Sequence, residues 1–296
     1  MKRNLALFLL IVFLFSGCTQ AETPSAPAAP EVDGYLTVHY IDVGQADCML
    51  LISGETTILI DGGNTGDGNL VLNYMQRYGV DELDLMINTH PHGDHLGGLP
   101  TVLASTPTDA IWCSTDNYDS STFDRFLYQA DKQNVKVEVP DPGTVYTADG
   151  LTLTVLGPLG DNYKDLNDTS LVVMVEFGNR KFLFTGDMET LAENELLDAD
   201  VDLKADVLKV GHHGSYSSTS SLFLQEVDPD YAIISCGRNN SYGHPHDAPL
   251  SRLEKAEVSL YRTDLMGTVV ISTDGNTLAL FWEMGNVQPT SYPNAA

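Results

Sequence analysis

Six consecutive residues, His90-Pro-His92-Gly-Asp94-His95, carry three imidazoles and one carboxylate directly after the apolar run Leu83-Asp-Leu-Met-Ile87. Imidazole and carboxylate are ligands shared by zinc, manganese and iron(II). Four of them in one turn exceed what a single catalytic ion with an open position needs, so a pair of ions is the simpler account. Such a pair polarises bound oxygen, generates a nucleophile near neutral pH and clamps the oxygens of an in-line displacement. Residues 83–87 read as a buried strand, and Gly93, Gly97 and Gly98 read as positions where the backbone turns around the ions.

Two ions require more ligands than one loop offers. The run Phe184-Thr-Gly-Asp187 ends a strand on a carboxylate that can bridge two ions, although the same residue would also cap a helix starting near Glu189. Lys209-Val-Gly-His212-His213-Gly-Ser215 places paired histidines among glycines at another strand end, so that one imidazole can ligate while the other donates a hydrogen bond or a proton. Tyr242-Gly-His244-Pro-His246 forms the third histidine segment. Seven of the eight histidines fall in these segments, and His39, in the first strand, reads as structural. Asp42 and Asp61, at strand ends beside glycines, are candidates for orienting a ligating histidine, with ordinary Asp-Gly turn chemistry as the alternative.

Short apolar runs predict strands over residues 36–41, 48–52, 57–60, 110–113, 135–139, 151–156, 171–177, 181–184, 205–210, 231–235, 269–271 and 277–281. Helices are expected near 69–78, from 96, over 123–130 and over 189–197. Mixed strands and helices in two similar halves predict an α/β fold of two sheets packed face to face with helices outside. Residues 107–119 lack clear periodicity and are expected to overhang the site as a lid.

The ends differ from the middle. Met1-Lys-Arg3, an apolar stretch over 5–15 and Ser16-Gly-Cys18 describe a secretory leader over 1–18, too short to span a membrane as a stable helix. Cys18 after Ser-Gly resembles a bacterial lipobox, which implies a lipid on Cys18 and membrane attachment, with plain secretion as the alternative. Residues 19–34, rich in Ala, Pro, Thr and Glu, read as a flexible tether, 35–285 as the folded domain and 286–296 as a disordered tail. An extracytoplasmic location follows. Cys48, Cys113 and Cys236 form no C-x-x-C pair. The net charge of −26 opposes long-range attraction of nucleic acid.

The cluster resembles the H-x-H-x-D-H signature of the metallo-β-lactamase fold superfamily, which implies a four-layer αββα sandwich of two mixed β-sheets. Asp42-Val-Gly-Gln45, Leu59-Ile-Asp-Gly-Gly63, Asn167-Asp-Thr-Ser-Leu171, Thr185-Gly-Asp187, Val207-Leu-Lys-Val-Gly-His-His-Gly-Ser215, Tyr242-Gly-His-Pro245 and Tyr261-Arg-Thr-Asp264 extend the likeness. In that order they resemble the hydrolase domain of ComEC-type competence proteins. The resemblance implies that His90 and His92 hold one ion, Asp94 and His95 the other, and Asp187 both. His213 would complete the second ion's set, with His244 the competitor. Many superfamily members carry a further histidine before the strand leading to Gly-Asp; here Asn167-Asp168 stands instead, leaving the first ion's set one short.

The function expected from these residues is metal-dependent hydrolysis of a phosphodiester, in nucleic acid or another extracellular substrate, by a hydroxide bridging two divalent ions, zinc ahead of manganese. Asp94 belongs to the reacting centre, and His212 or His244 would donate the leaving-group proton. Asn167, Asp168, Ser215 and Lys209 would grip the substrate. No obligate protein partner is expected. The rival expectations are a β-lactam or thioester hydrolase and a non-catalytic surface binding lipoprotein.

Overall fold

Alternation of apolar side chains along short strands sets the architecture. In a strand successive side chains face opposite ways, and here both faces are covered. Met49 and Leu51 enter one buried cluster while Leu50 and Ile52 enter another. The computed structural model describes residues 34–283. The expected leader at 1–18, the tail at 286–296 and all of the tether but Gly34 lie outside the described residues.

Strands β1 (Leu36–Tyr40), β2 (Met49–Ser53), β3 (Thr56–Ile60), β4 (Leu83–Asn88), β5 (Thr108–Cys113) and β6 (Val137–Glu138) begin the first sheet. The next seven, β7 (Val145–Ala148), β8 (Leu151–Gly157), β9 (Val172–Phe177), β10 (Arg180–Phe184), β11 (Val207–Lys209), β12 (Tyr231–Ile234) and β13 (Ser259–Arg262), form the second. Strands β14 (Thr268–Thr273) and β15 (Leu278–Glu283) return to the first, giving the order β15-β14-β1-β2-β3-β4-β5-β6. Both sheets are mixed: β3, β4, β5 and β6 run parallel, as do β10, β11, β12 and β13.

The central core lies between the sheets, where Val38, Tyr40, Leu51, Ile60 and Ile87 meet Leu153, Val173, Val175, Phe182 and Phe184. Outside the first sheet pack α1 (Gly68–Arg77), α2 (Gly93–Leu96), α3 (Leu99–Leu103) and α4 (Ser121–Gln133), burying Val71, Met75, Leu99, Val102, Phe123 and Phe126. Outside the second lie α5 (Thr190–Asp198), α6 (Ser221–Val227) and α7 (Asp247–Lys255), burying Ala192, Leu196, Phe223, Leu224 and Leu253. A short α8 (Thr263–Met266) joins β13 to β14. The result is the expected αββα sandwich.

One expectation is corrected, and several elements were not foreseen. Residues 107–119 are not a lid: β5 takes their first half into the sheet, Trp112 is buried in the central core, and Tyr118 packs edge-on to Phe123. Strands β7 and β13 and the short α8 were not expected, nor were helices α6 and α7. Both helices are short amphipathic segments, and α6 starts on a local cap in which Ser220 Oγ accepts from Phe223 N at 3.3 Å.

Candidate metal centre

Parallel strands end on one side of their sheet, so the loops after β3, β4, β10, β11 and β12 gather at one edge of the sandwich. These loops carry Asp61, the His90–His95 cluster, Asp187, the His212-His213 pair and His244. Seven of the eight histidines are therefore brought to one rim by topology alone, and His39 is excluded from it. As expected, His39 is structural: its ring nitrogens meet Tyr74 Oη at 2.9 Å and Thr37 Oγ1 at 3.0 Å.

Asp187 occupies the middle. Its Oδ1 lies 3.3 Å from His95 Nε2, and its Oδ2 lies 3.6 Å from His213 Nε2, 3.8 Å from His212 Nε2 and 3.9 Å from His90 Nε2. Asp94 Oδ2 approaches His213 Nε2 at 3.4 Å, and His90 Nε2 stands 2.9 Å from His92 Nδ1. Asp94, His95, Asp187 and His213 can each offer one ligand atom within 4.8 Å of the others. Asp187 is not a helix cap. Asp168 takes that place instead, its Oδ1 accepting from Glu189 N at 3.0 Å and Ala192 N at 3.3 Å at the start of α5.

Whether these residues fit a cation is tested by their unmet valences. His95 Nε2, His213 Nε2 and Asp187 Oδ1 are buried without any hydrogen bond among the described residues. Buried polar atoms are nearly always satisfied, and three orphans converging on one point are what a divalent cation would satisfy. Charge agrees. Burial alone would raise the Asp187 carboxyl, but the imidazoles of His95 and His213 outweigh it and hold it well below the usual carboxylate range. Burial likewise opposes charge on His213, yet Asp187 and Asp47 lift it to about 10. The pocket is built to keep carboxylate charge that protons or a cation must balance.

The outer ring of contacts fixes the ligand geometry. Asp61, with φ +58°, accepts from Thr89 N at 2.8 Å, Thr89 Oγ1 at 2.7 Å, Asn88 Nδ2 at 3.1 Å and His95 Nδ1 at 2.9 Å. His95 is thereby set with Nε2 toward Asp187, the orienting role expected for Asp61. Asp42 is not in that position: it is exposed, and its Oδ1 accepts from Gly44 N at 3.2 Å in a local turn. Gly97 is not needed for a special turn either, since its φ is −54°. A Cβ there would stand 2.2 Å from Gly93 O and 2.3 Å from Thr65 N, so the glycine is required by close backbone approach.

Of the expected substrate contacts, only Asn167 reaches the cavity. That cavity, of roughly 740 Å³, is lined by Gln45, Asn64, Asn167, Tyr242 and His244 together with His92, Asp94, Asp187, His212 and His213. Ser215 is buried, its Oγ 2.9 Å from Ser217 Oγ. Lys209 points away from the cavity. Its fully buried Nζ pairs with Asp47 Oδ2 at 2.7 Å and donates to Val210 O at 3.0 Å.

Sequence reasoning missed Asp47, Glu189 and the side-chain role of Gln45. Asp47 Oδ1 stands 3.2 Å from His213 Nδ1, which also donates to Ser235 O at 2.9 Å. The available signal was a carboxylate between Ala46 and Cys48 at the head of an apolar run, which cannot be buried without a partner. Glu189 Oε1 accepts from His212 Nδ1 at 2.9 Å and Ser217 Oγ at 2.7 Å. Gln45 Oε1 accepts from Gly237 N at 3.0 Å, which orients its amide so that Nε2 donates to His244 Nδ1 at 3.2 Å. His244 thus carries its proton on Nε2. Burial, with the nearby imidazoles of His213 and His212, lowers His244 to about 4, so it is a neutral N–H donor.

Comparison with known proteins agrees with this geometry. Residues 41–238 match the Metallo-beta-lactamase superfamily. ComE operon protein 3 of Bacillus subtilis is 32% identical over 251 residues, covering 78% of this chain and 32% of that protein. Recombination protein 2 of Haemophilus influenzae is 34% identical, covering 79% and 28%, and Competence protein ComA of Neisseria gonorrhoeae is 30% identical, covering 82% and 33%. The chain therefore spans about a third or less of these relatives. The solved metallo-beta-lactamase fold protein YhfI of Bacillus subtilis superposes with a TM-score of 0.52 at 16% identity, over 81% of this chain and 99% of that one, which shows the shared fold.

Proposed function

Because this chain belongs to the metallo-β-lactamase superfamily and is one of its metallohydrolases, we propose that it hydrolyses a phosphodiester, in a nucleic acid or another extracellular substrate. The carrying observation is the convergence of three orphaned buried ligand atoms, His95 Nε2, His213 Nε2 and Asp187 Oδ1, where Asp187 and His213 line an open cavity. His90, His92, Asp94, His95, Asp187 and His213 would hold two divalent cations, and mixed imidazole and carboxylate ligation suits zinc first and manganese second. When bound, the cations supply Lewis acidity toward a charged oxygen.

The chain's own residues bind and orient. The Nε2–H of His244 would serve the cavity as a neutral donor for phosphoryl oxygens or the leaving group, Gln45 holds His244 in the donating tautomer, and Asn167 lines the cavity beside it. Among the described residues the cavity lining contains no Lys or Arg, and the chain's net charge is −26. A small or locally held phosphodiester is therefore favoured over tight capture of a long duplex. The names of the competence and recombination relatives support a nucleic-acid substrate. No described helix is long and apolar enough to cross a membrane. Lipid attachment through Cys18, placing the enzyme outside the cytoplasm at a membrane, is part of this reading.

A panel of single-stranded DNA, RNA, a bis-aryl phosphodiester, a β-lactam and a thioester, with metal-quantified protein, tests the proposal. Turnover of phosphodiesters alone is expected. Turnover of only the β-lactam or thioester would overturn it, and no turnover of any by fully loaded protein would favour a binding lipoprotein.

A further inference from the structure

The first cation position is one ligand short, because Asn167-Asp168 stands where many superfamily members have a histidine. The structure sets Asp168 aside, since it does not line the cavity and its Oδ1 accepts from the backbone N–H groups at the start of α5. Asn167 lines the cavity with its Nδ2 engaged by Glu189 Oε1 at 3.3 Å and its Oδ1 buried without a hydrogen-bond partner, so it offers a cation only a neutral amide oxygen, a poorer zinc ligand than an imidazole. We infer that His212 fills the gap: its Nε2 joins His90, His92 and Asp187 around the first ion, while His213 serves the second. This rests on the metal-binding reading of the site and not on the identity of the substrate.

Three independent features carry it. First, His212 Nε2 and His90 Nε2 approach the same oxygen, Asp187 Oδ2, at 3.8 and 3.9 Å, whereas His213 Nε2 also approaches Asp94 Oδ2 at 3.4 Å. Second, His212 Nδ1 donates to Glu189 Oε1 at 2.9 Å, and Ser217 Oγ holds the same carboxylate oxygen at 2.7 Å. A carboxylate behind Nδ1 is the outer partner that metal-ligating histidines characteristically have, and it leaves Nε2 as the coordinating nitrogen. Third, His212 and His213 are consecutive and both lie in the left-handed region, with φ of +46° and +52°. Such a conformation is strained at a non-glycine residue and persists where its surroundings require it. Here it lets two adjacent rings, with centroids 6.2 Å apart, both reach Asp187.

The test is metal stoichiometry and affinity, by elemental analysis and by competition with a chromophoric chelator, on protein titrated with Zn²⁺ alone. Asparagine tolerates the left-handed backbone, so His212→Asn removes the imidazole with little added strain. The expected result is two ions in the wild type, and in His212→Asn one ion held normally and one weakened by about 10–100-fold, with Glu189→Gln weakening the same ion. Unchanged melting of the metal-free variants would show that folding is intact. Two ions at wild-type affinity in His212→Asn would overturn the inference even if activity were lost, because His212 would then touch substrate and not metal. A wild type that binds a single ion would overturn it equally. A wild type that binds none would overturn it together with the metalloenzyme reading.

Discussion

Lys209 Nζ and Asp47 Oδ2 lie 2.7 Å apart with neither side chain reaching solvent, and the second oxygen of Asp47 stands 3.2 Å from His213 Nδ1. A cation and a carboxylate buried together are costly to separate, because the survivor is left charged in a low-dielectric interior. Burial would raise the Asp47 carboxyl, but Lys209 and His213 beside it hold it down, so the charge persists at neutral pH. Lys209→Met should therefore cost about 3–5 kcal/mol of folding stability, measured by urea unfolding of metal-free protein. Adding Asp47→Asn should cost less than the sum of the two single changes. A loss below about 1 kcal/mol for Lys209→Met would show the pair is not structural.

Asp61 accepts four hydrogen bonds, one of them from His95. Asp61→Ala removes the group that aims His95 Nε2 at Asp187. The expected outcome is a metal affinity about 10–100-fold weaker, read by chelator competition. Equal affinity in variant and wild type would remove Asp61 from the support of the centre.

Gly97→Ala would drive a Cβ into the backbone atoms Gly93 O and Thr65 N, none of which belongs to a flexible side chain. Overpacking of this kind costs about 3 kcal/mol or more. A melting temperature lower by on the order of 10 °C, or failure to accumulate folded protein, is expected. Wild-type melting would contradict the close approach of the loop carrying Asp94 to the loop carrying Asn64.

His39 is buried, and that burial, with the nearby Arg77 charge, lowers its pKa from 6.5 to about 3. Above 6.5 the residue is neutral in folded and unfolded chains alike and adds no pH dependence. Below 6.5 only the unfolded chain takes up the proton, so stability falls by about 1.4 kcal/mol per pH unit until the folded value is reached. Unfolding free energies of wild type and His39→Gln should diverge in pH slope below about pH 6, the variant falling less steeply by one proton. Parallel slopes would mean that His39 is not buried as a neutral ring.

What the sequence made legible was whatever lies within one strand and its following loop. The cluster from His90 to His95, Asp187 after its strand and the His212-His213 pair are local motifs, and parallel strand ends bring them to one edge. Side-chain destinations were less legible. Lys209 sits at the end of β11, and only the packing of the two sheets decides that its ammonium enters the core toward Asp47 and misses the cavity. Asp187 and Asp168 both stand near the start of α5, and the sequence does not show which carboxylate meets the helix N–H groups. The three-dimensional arrangement gives that task to Asp168 and leaves Asp187 among the imidazoles. Glu189 and Gln45 orient histidines that are distant in the chain or folded back by unusual backbone angles, and no local pattern encodes such a pairing.

Cation binding around Asp187 at this rim underlies both the candidate metal centre and the proposed hydrolysis. Divalent-metal content of chelator-free, purified wild type and Asp187→Ala tests it most directly, with the folding of each checked by its melting curve. Stoichiometric metal is expected in the wild type, and loss of one or both ions, together with hydrolysis, in the variant. A folded Asp187→Ala protein that keeps the wild-type metal content would contradict it.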